Sequence, residues 1–417
     1  MHTVAIKRKT KRAAQTILEM VSAILPHHWD ALSLTISQNW AMPLPVAPRF
    51  SSLMAAVQWI KAAQDVTGNG GVSWGYRARQ PVRSAMPIGW MPAYPETTGY
   101  IIETMLKFAR LENDPDCRKR AKRMADWELT LQLPDGGTPG GVHGAHPVAS
   151  STFVTGQVMF GFLSMVEEFR DNRYLVAARR GGDFLLSCLD ENGRFIAGYS
   201  NFCKTGPKAY EARTGWALAK LARATGDSRY SQAAMRMGKY ALSCQLRNGW
   251  FSENDLDFEC RPLTHTIGYV LEGLWEIGVL LEEESFLRAV LNTLDRIQPL
   301  IEKTGFLAGR WTSEWKPAAP WCCLTGSSQI ALVYLRANSR FPSAEFVASA
   351  QKLLSFVAAT QARAEIAIAL RGGIQGSYPF GGEYGQYCFL NWAAKFYCDA
   401  VMELFALQGT QGYQRER

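Results

Sequence analysis

Several kinds of segment that would fix a protein's class at once are missing from this chain. No run of 18 apolar residues occurs anywhere in its 417 residues, so a membrane-spanning helix is not expected. The nine cysteines are odd in number, scattered, and include no Cys-x-x-Cys pair. That pattern indicates neither a disulfide framework nor a cysteine-paired zinc site, and points to reduced thiols and a cytoplasmic location. Phosphate-loop, dinucleotide and Ser-His-Asp signatures are absent, as is the aspartate-rich motif of terpene cyclases. The basic start Met1–Arg12 is followed by Ala13–Leu25, which Gln15, Thr16 and Glu19 interrupt. This stretch reads as a short amphipathic helix and not as a secretory signal.

What is present is globular in composition: 47% hydrophobic and 20% charged residues supply ample core material. The formal net charge is +8. One reading is a basic surface with a basic tail. The other is attraction to an acidic partner such as a uronate-bearing glycan or an anionic lipid surface. No nucleic-acid fingerprint is found, so nucleic acid is not expected as a partner.

Glycine turns set the organisation. Asn69-Gly70-Gly71, Asp135-Gly136-Gly137, Asn192-Gly193, Asn248-Gly249, Thr304-Gly305 and Arg371-Gly372-Gly373 punctuate the chain. The steps between them are 66 (136 − 70), 57 (193 − 136), 56 (249 − 193), 56 (305 − 249) and 67 (372 − 305) residues. A near-constant period of this size marks one supersecondary unit copied six times. Within each unit a loop leads to a helix with a small residue near its start, as at Gly99, Gly156, Gly215, Gly268 and Gly326. Threonine or asparagine is expected to cap these helices. A more polar helix follows in most units, and Ser51–Gln64 precedes the first. Inner helices apolar nearly all round, alternating with amphipathic outer ones, predict an all-α, closed two-layer barrel of twelve helices. The expected domain limits are a basic N-terminal segment at 1–44, the helical barrel at 45–408 and a tail at 409–417.

At this level the sequence resembles the six-hairpin (α/α)6 toroids, which include glycoside hydrolases, polysaccharide lyases and sugar epimerases. The Gly-aromatic turns after glutamine are also similar to the repeats of squalene-cyclase and prenyltransferase toroids. Tyr94-Pro95-Glu96-Thr97-Thr98-Gly99-Tyr100, Pro262-Leu263-Thr264-His265-Thr266 and Trp321-Cys322-Cys323-Leu324-Thr325-Gly326 resemble segments of bacterial proteins associated with surface-polysaccharide synthesis. The Tyr-Pro start of an inner helix is similar to the toroid domain of uronyl C5-epimerases. The resemblance implies a cup formed by the loops before the inner helices, and a fold that hosts many chemistries.

Those loops concentrate aromatic and ionisable residues. Flat rings stack on pyranose faces, and carboxylates bind hydroxyls and move protons, so a glycan substrate is expected. Glu96 is the leading general acid, with Glu211, Asp257 and Glu383 as candidate partner carboxylates. A helix-start glutamate also complements the helix dipole without any catalysis. Trp74, Tyr76, Arg77, Tyr94, His143, Arg213, Trp321, Tyr387 and Asn391 are the candidate substrate contacts. Elimination or C5 epimerisation of a uronate would instead use His265 or Tyr210 as base, with Arg213 or Arg77 on the carboxylate. Three other readings remain: a non-catalytic glycan-binding or assembly protein, a metal-dependent toroid, and a terpenoid-cyclase-like one. Cys260, His265, Cys322 and Cys323 fall on adjacent units, and Trp321-Cys322-Cys323 resembles a zinc-binding segment of lantibiotic-cyclase toroids. Adjacent cysteines rarely share one ion, so buried structural thiols are expected there, and no metal or cofactor is assigned. The basic N-terminal segment is a candidate contact for a membrane surface or for polysaccharide machinery.

Overall fold

A computed structural model of the chain describes residue 38 and residues 42–79, 87–200, 205–257, 260–362 and 368–409. The helix expected over Ala13–Leu25 and the C-terminal tail from residue 410 lie outside them. Among the described residues there are twelve α-helices in six pairs. The outer members are α1 (Phe50–Asp65), α3 (Pro115–Leu131), α5 (Asn172–Ser187), α7 (Ser228–Ser243), α9 (Glu284–Ile297) and α11 (Ala344–Thr360). The inner members are α2 (Pro95–Glu112), α4 (Thr152–Phe169), α6 (Ala212–Thr225), α8 (Thr264–Leu280), α10 (Leu324–Arg340) and α12 (Asn391–Gln408). Each inner helix packs on the next, and α12 packs on both α1 and α2, so the ring closes as an (α/α)6 toroid.

The six turn glycines explain the repeat physically. All have positive φ, between 80° at Gly193 and 101° at Gly70, where a side chain would be strained. Each also lies against the backbone of the following outer helix. A Cβ on Gly136 would sit 2.3 Å from the Arg180 carbonyl oxygen, and one on Gly305 2.1 Å from that of Lys352. The last, Gly372, meets the Ala55 carbonyl of α1 at 2.1 Å, which carries the pattern round to the first unit. Glutamines at the outer-helix ends fasten the same contact. Gln132 Nε2 donates to the carbonyls of Gly136 and Ala177, and Gln361 Nε2 to those of Gly372 and Ser52.

The seam between first and last units has further stitches. β1 (Gly75–Arg77) pairs antiparallel with β2 (Gly89–Trp90) on one edge and, on the other, with a strand just before α12, Cys388–Leu390. Asn391 Nδ2 donates to the Ser73 carbonyl and to Thr97 Oγ1, and Trp59 Nε1 to the Ala369 carbonyl.

Two expectations need correction. Thr and Asn do not cap the inner helices. The threonines lie inside the first turn and tie it to its own loop, as where Thr98 Oγ1 accepts from Val72 N and Thr155 Oγ1 from Thr138 N. Acidic caps belong to the outer helices, where Asp114, Asp171 and Asp227 accept from backbone N–H groups within the first turn. Nor are the inner helices apolar all round. Their ninth and thirteenth residues place Glu103, Lys220, Glu272 and Asp399, then Lys107, Glu276, Arg336 and Glu403, on the face turned to the toroid axis. Most of these groups pair within the set, where Glu103 lies 3.6 Å from both Lys107 and Lys220 and Glu276 2.9 Å from Arg336, while Asp399 pairs at 2.6 Å with Lys395, the fifth residue of its own helix. Burial opposes ionisation of Glu103, yet Lys107 and Lys220 override it and hold its carboxyl well below the ordinary range.

Candidate active site

Counting from each helix start, the second residues of the inner helices are Glu96, Phe153, Arg213, His265, Thr325 and Trp392. The sixth are Tyr100, Gln157, Ala217, Tyr269, Gln329 and Phe396. Positions 2, 6, 9 and 13 are spaced 4, 3 and 4 apart and therefore share one face of a helix. The upper two positions build a cavity at the inner-helix N-terminal end, and the lower two carry the ion pairs beneath it.

The cavity holds about 210 Å³. Helix residues on its wall are Glu96, Tyr100, Phe153, His265, Tyr269 and Trp392, with Tyr94 at the start of α2. Loops contribute Trp74, Ser200, Tyr210, Leu256 and Tyr384. Trp74 and Trp392 meet edge-to-face at 5.0 Å, and Trp392 Nε1 donates to Tyr384 Oη at 2.8 Å, which fixes three of the rings against each other.

Two carboxyls stand out. Tyr94 Oη donates to Glu96 Oε2 at 2.6 Å, and protein encloses this carboxyl on all sides except toward the cavity. Burial pushes it up to about 7, against the opposing effects of the Tyr94 hydrogen bond and the Arg213 charge. Glu211 lies in the short 3₁₀ turn Ala209–Glu211 that leads into α6, directly after the wall residue Tyr210, and accepts from Thr214 Oγ1 at 2.8 Å. Burial pushes it up to about 8, and the negative charge of Glu96 adds to the effect. The two groups are therefore within electrostatic reach of each other. Besides the tyrosines, the ionisable groups on the wall itself are Glu96 and His265. Burial holds its imidazole down to about 3, so it is neutral, and its Nδ1 lies 2.5 Å from Gln329 Oε1.

Of the residues singled out in the sequence, Trp74, Tyr94, Glu96, Tyr210 and His265 reach this wall, with Glu211 beside it. The others lie elsewhere, each for an identifiable reason. Arg213 is 1% exposed and lies beneath the cavity: Nη1 is paired with Glu272, Nε donates to Gln157 Oε1 at 2.8 Å, and the rings of Tyr100, Tyr269 and Phe396 surround its guanidinium. Asp257 and Glu383 are exposed and converge on Arg310, at 2.9 and 3.8 Å. Tyr76 and Arg77 are buried in β1, Tyr76 against Trp90. His143 is exposed against Trp127 of α3. Trp321 fills a small second core with Leu263, Ala319 and Cys323, while Tyr387 packs on Phe380 and under Arg79. Asn391 is fully buried in the seam. Cys322 and Cys323 are buried, with Sγ of Cys322 against Ser327 Oγ, and Cys260 is exposed. Among the described residues no three His, Cys, Asp or Glu side chains gather as a metal site would require.

Phe153, Tyr269, Trp392, Ser200 and Leu256 were not singled out as site residues. For the first three a signal was available: Phe153 and Trp392 share the register of Glu96, and Tyr269 shares that of Tyr100. Reading the loops alone passes over them.

No protein-family model and no curated protein matches the sequence. Solved structures do match in fold. An unsaturated glucuronyl hydrolase specific for heparin superposes with a TM-score of 0.66 at 13% identity, covering 86% of this chain and 97% of that one. A cellobiose 2-epimerase from Bacillus thermoamylovorans gives 0.64 at 11% identity, with 84% and 96% covered. An alpha-amylase from Clostridium perfringens gives 0.63 at 14%, with 85% and 99% covered. The chain shares the (α/α)6 toroid fold of these proteins across nearly their whole length.

Proposed function

We propose that this toroid is a carbohydrate-active enzyme that carries out glycoside-hydrolase-like acid–base chemistry in the cup, with Glu96 and Glu211 as its carboxyl pair. The observation that carries this is Glu96, held near neutral pKa on a wall of aromatic rings, with a second raised carboxyl close enough to feel its charge. Hydrolysis of a glycoside needs one carboxyl protonated and one ionised across the scissile bond. Environments that push two pKa values apart assign those tasks. Glu96 is assigned as the base, because both the Tyr94 hydroxyl and the Arg213 charge support its carboxylate whereas Glu211 has the Thr214 hydroxyl alone, and the charge of Glu96 then favours the proton on Glu211. Glu211 accordingly gives its proton to the glycosidic oxygen as the C1–O bond breaks, and Glu96 takes one from the water that attacks C1. These roles are the reverse of those expected from the sequence, where Glu96 was the acid.

The sugar-processing names of the solved toroids support the substrate class. No described helix is long and apolar enough to cross a membrane. A place in cytoplasmic polysaccharide assembly, with the basic N-terminal segment as contact to a membrane surface or to the assembly machinery, belongs to the same proposal and rests on the segment resemblance, the cysteine pattern and the basic charge. The test starts with a glycan array to find a bound oligosaccharide, followed by assay of new reducing ends for the wild type, Glu96→Gln and Glu211→Gln. Loss of turnover in both variants with the fold intact is expected. Full activity in Glu96→Gln would sink the assignment.

A further inference from the structure

Behind the wall, the hydrogen bonds run in one direction. Glu272, 1% exposed and ion-paired with Arg213, can only accept. It lies 3.4 Å from the Gln329 side-chain amide, whose NH2 is thereby turned toward it. That leaves Gln329 Oε1, an acceptor, facing His265 Nδ1 at 2.5 Å, so the proton of the neutral imidazole must sit on Nδ1. Since Nδ1 is turned into the wall and His265 lines the cavity, the opposite ring edge with Nε2 is the one left for a ligand.

We infer that Glu272, acting through Gln329, locks His265 as the Nδ1–H tautomer, so that a bare Nε2 lone pair faces the cup and selects an uncharged, hydroxyl-bearing sugar over a uronate. This inference rests on the sugar reading for its ligand and deepens it. A hydroxyl donates to the lone pair. With the C6 group of the sugar placed at Nε2, a carboxylate in place of the C6 hydroxyl cannot, and it also meets Glu96 on the same wall. The nearby cation offers only partial compensation, because Arg213 lies beneath the wall and is ion-paired with Glu272, and among the described residues of the wall there is no lysine or arginine. An acceptor left facing an acceptor costs about 1–3 kcal/mol, or roughly fivefold to 150-fold in affinity. Glu272 and Gln329 are positioning residues here; they act through His265.

The test uses the full chain labelled with [15N]histidine, with His265→Asn run to identify the resonance. Long-range 1H–15N spectra of the wild type are expected to show a protonated Nδ1 and a bare Nε2. A wild-type His265 protonated at Nε2 overturns the lock and needs no folded variant to do so. Gln329→Met keeps the Arg213–Glu272 pair and is expected to give a mixture of tautomers; an unchanged spectrum also overturns the lock. Titration with cellobiose and with glucuronosyl-glucose is the second readout, and the neutral disaccharide is expected to bind the wild type at least about fivefold tighter. Equal or tighter binding of the uronate refutes the selectivity while leaving the sugar reading standing. Binding of neither refutes the sugar reading and the selectivity with it, while the tautomer is still reported.

Discussion

Replacing Glu96 by glutamine should inactivate the protein and, at alkaline pH, make it more stable. The carboxyl sits at about 7 in the folded chain against an ordinary value of 4.5. At about 1.36 kcal/mol for each tenfold change in proton affinity, folding loses about 3 kcal/mol by keeping this group in its enclosed place once the solvent would ionise it. The sign follows from proton counts. Below about 4.5 both folded and unfolded chains hold the proton, and nothing is lost. Between 4.5 and about 7 only the folded chain holds it, so stability declines as pH rises, and above about 7 the loss is complete. Glutamine is neutral throughout, so Glu96→Gln should match the wild type near pH 4.5 within the worth of the Tyr94 hydrogen bond. At pH 8.5 it should exceed it by up to about 3 kcal/mol. Urea unfolding at constant ionic strength at the two pH values reads the difference directly. A gap between variant and wild type that is the same at both would show that Glu96 is not held protonated, and the acid–base reading of the cup would lose its basis.

Other consequences can be checked independently. With Glu96 and Glu211 at about 7 and about 8, the pH–rate profile should be a narrow bell between those limbs, and Glu96→Gln or Glu211→Gln should each lower kcat by about 10²–10⁴. A broad plateau from pH 5 to 9 would contradict the coupled pair. Trp392→Ala removes the ring that meets Trp74 and holds Tyr384, and should weaken oligosaccharide binding about threefold to tenfold, measured by calorimetry. Gly273→Ala should destabilise by about 1–3 kcal/mol in urea unfolding, because its Cβ would lie 2.3 Å from the Ala212 backbone where α8 crosses α6. A neutral effect there would mean the two helices can move apart freely.

The toroid was legible because the period is written in residues that backbone geometry demands. At a positive φ pressed on the next helix any side chain is strained, so glycine stands at all six turns and the period is readable. The cup was only partly legible. Glu96 and His265 were found because charge and imidazole are conspicuous at a helix start, and Trp74 and Tyr94 because loop aromatics attract notice. Arg213 was misplaced as a substrate contact, since the sequence does not reveal that Glu272, 59 residues on (272 − 213), neutralises it in the core. Asp257 and Glu383 were misplaced for a similar reason: both turn outward to Arg310. The axial ion pairs were passed over because single charges on largely apolar helices look like surface positions. Only when six helices are aligned on their starts do they become one inward stripe.

The seam has a bearing on how the chain comes together in time. Gly75 pairs with Leu390, 315 residues later (390 − 75), and Gly372 rests on α1. Contacts so distant in sequence form late, after the entropy of a very long loop has been overcome. Until the last stretch has been synthesised, α1 and α2 stand with the flank that α12 will cover open to water, where another unfinished chain can bind it. The final helix is thus the keystone of an arch. A chain ending before residue 391 would forfeit the cup as well as the ring, because Trp392 and the support of Tyr384 arrive only with that last piece.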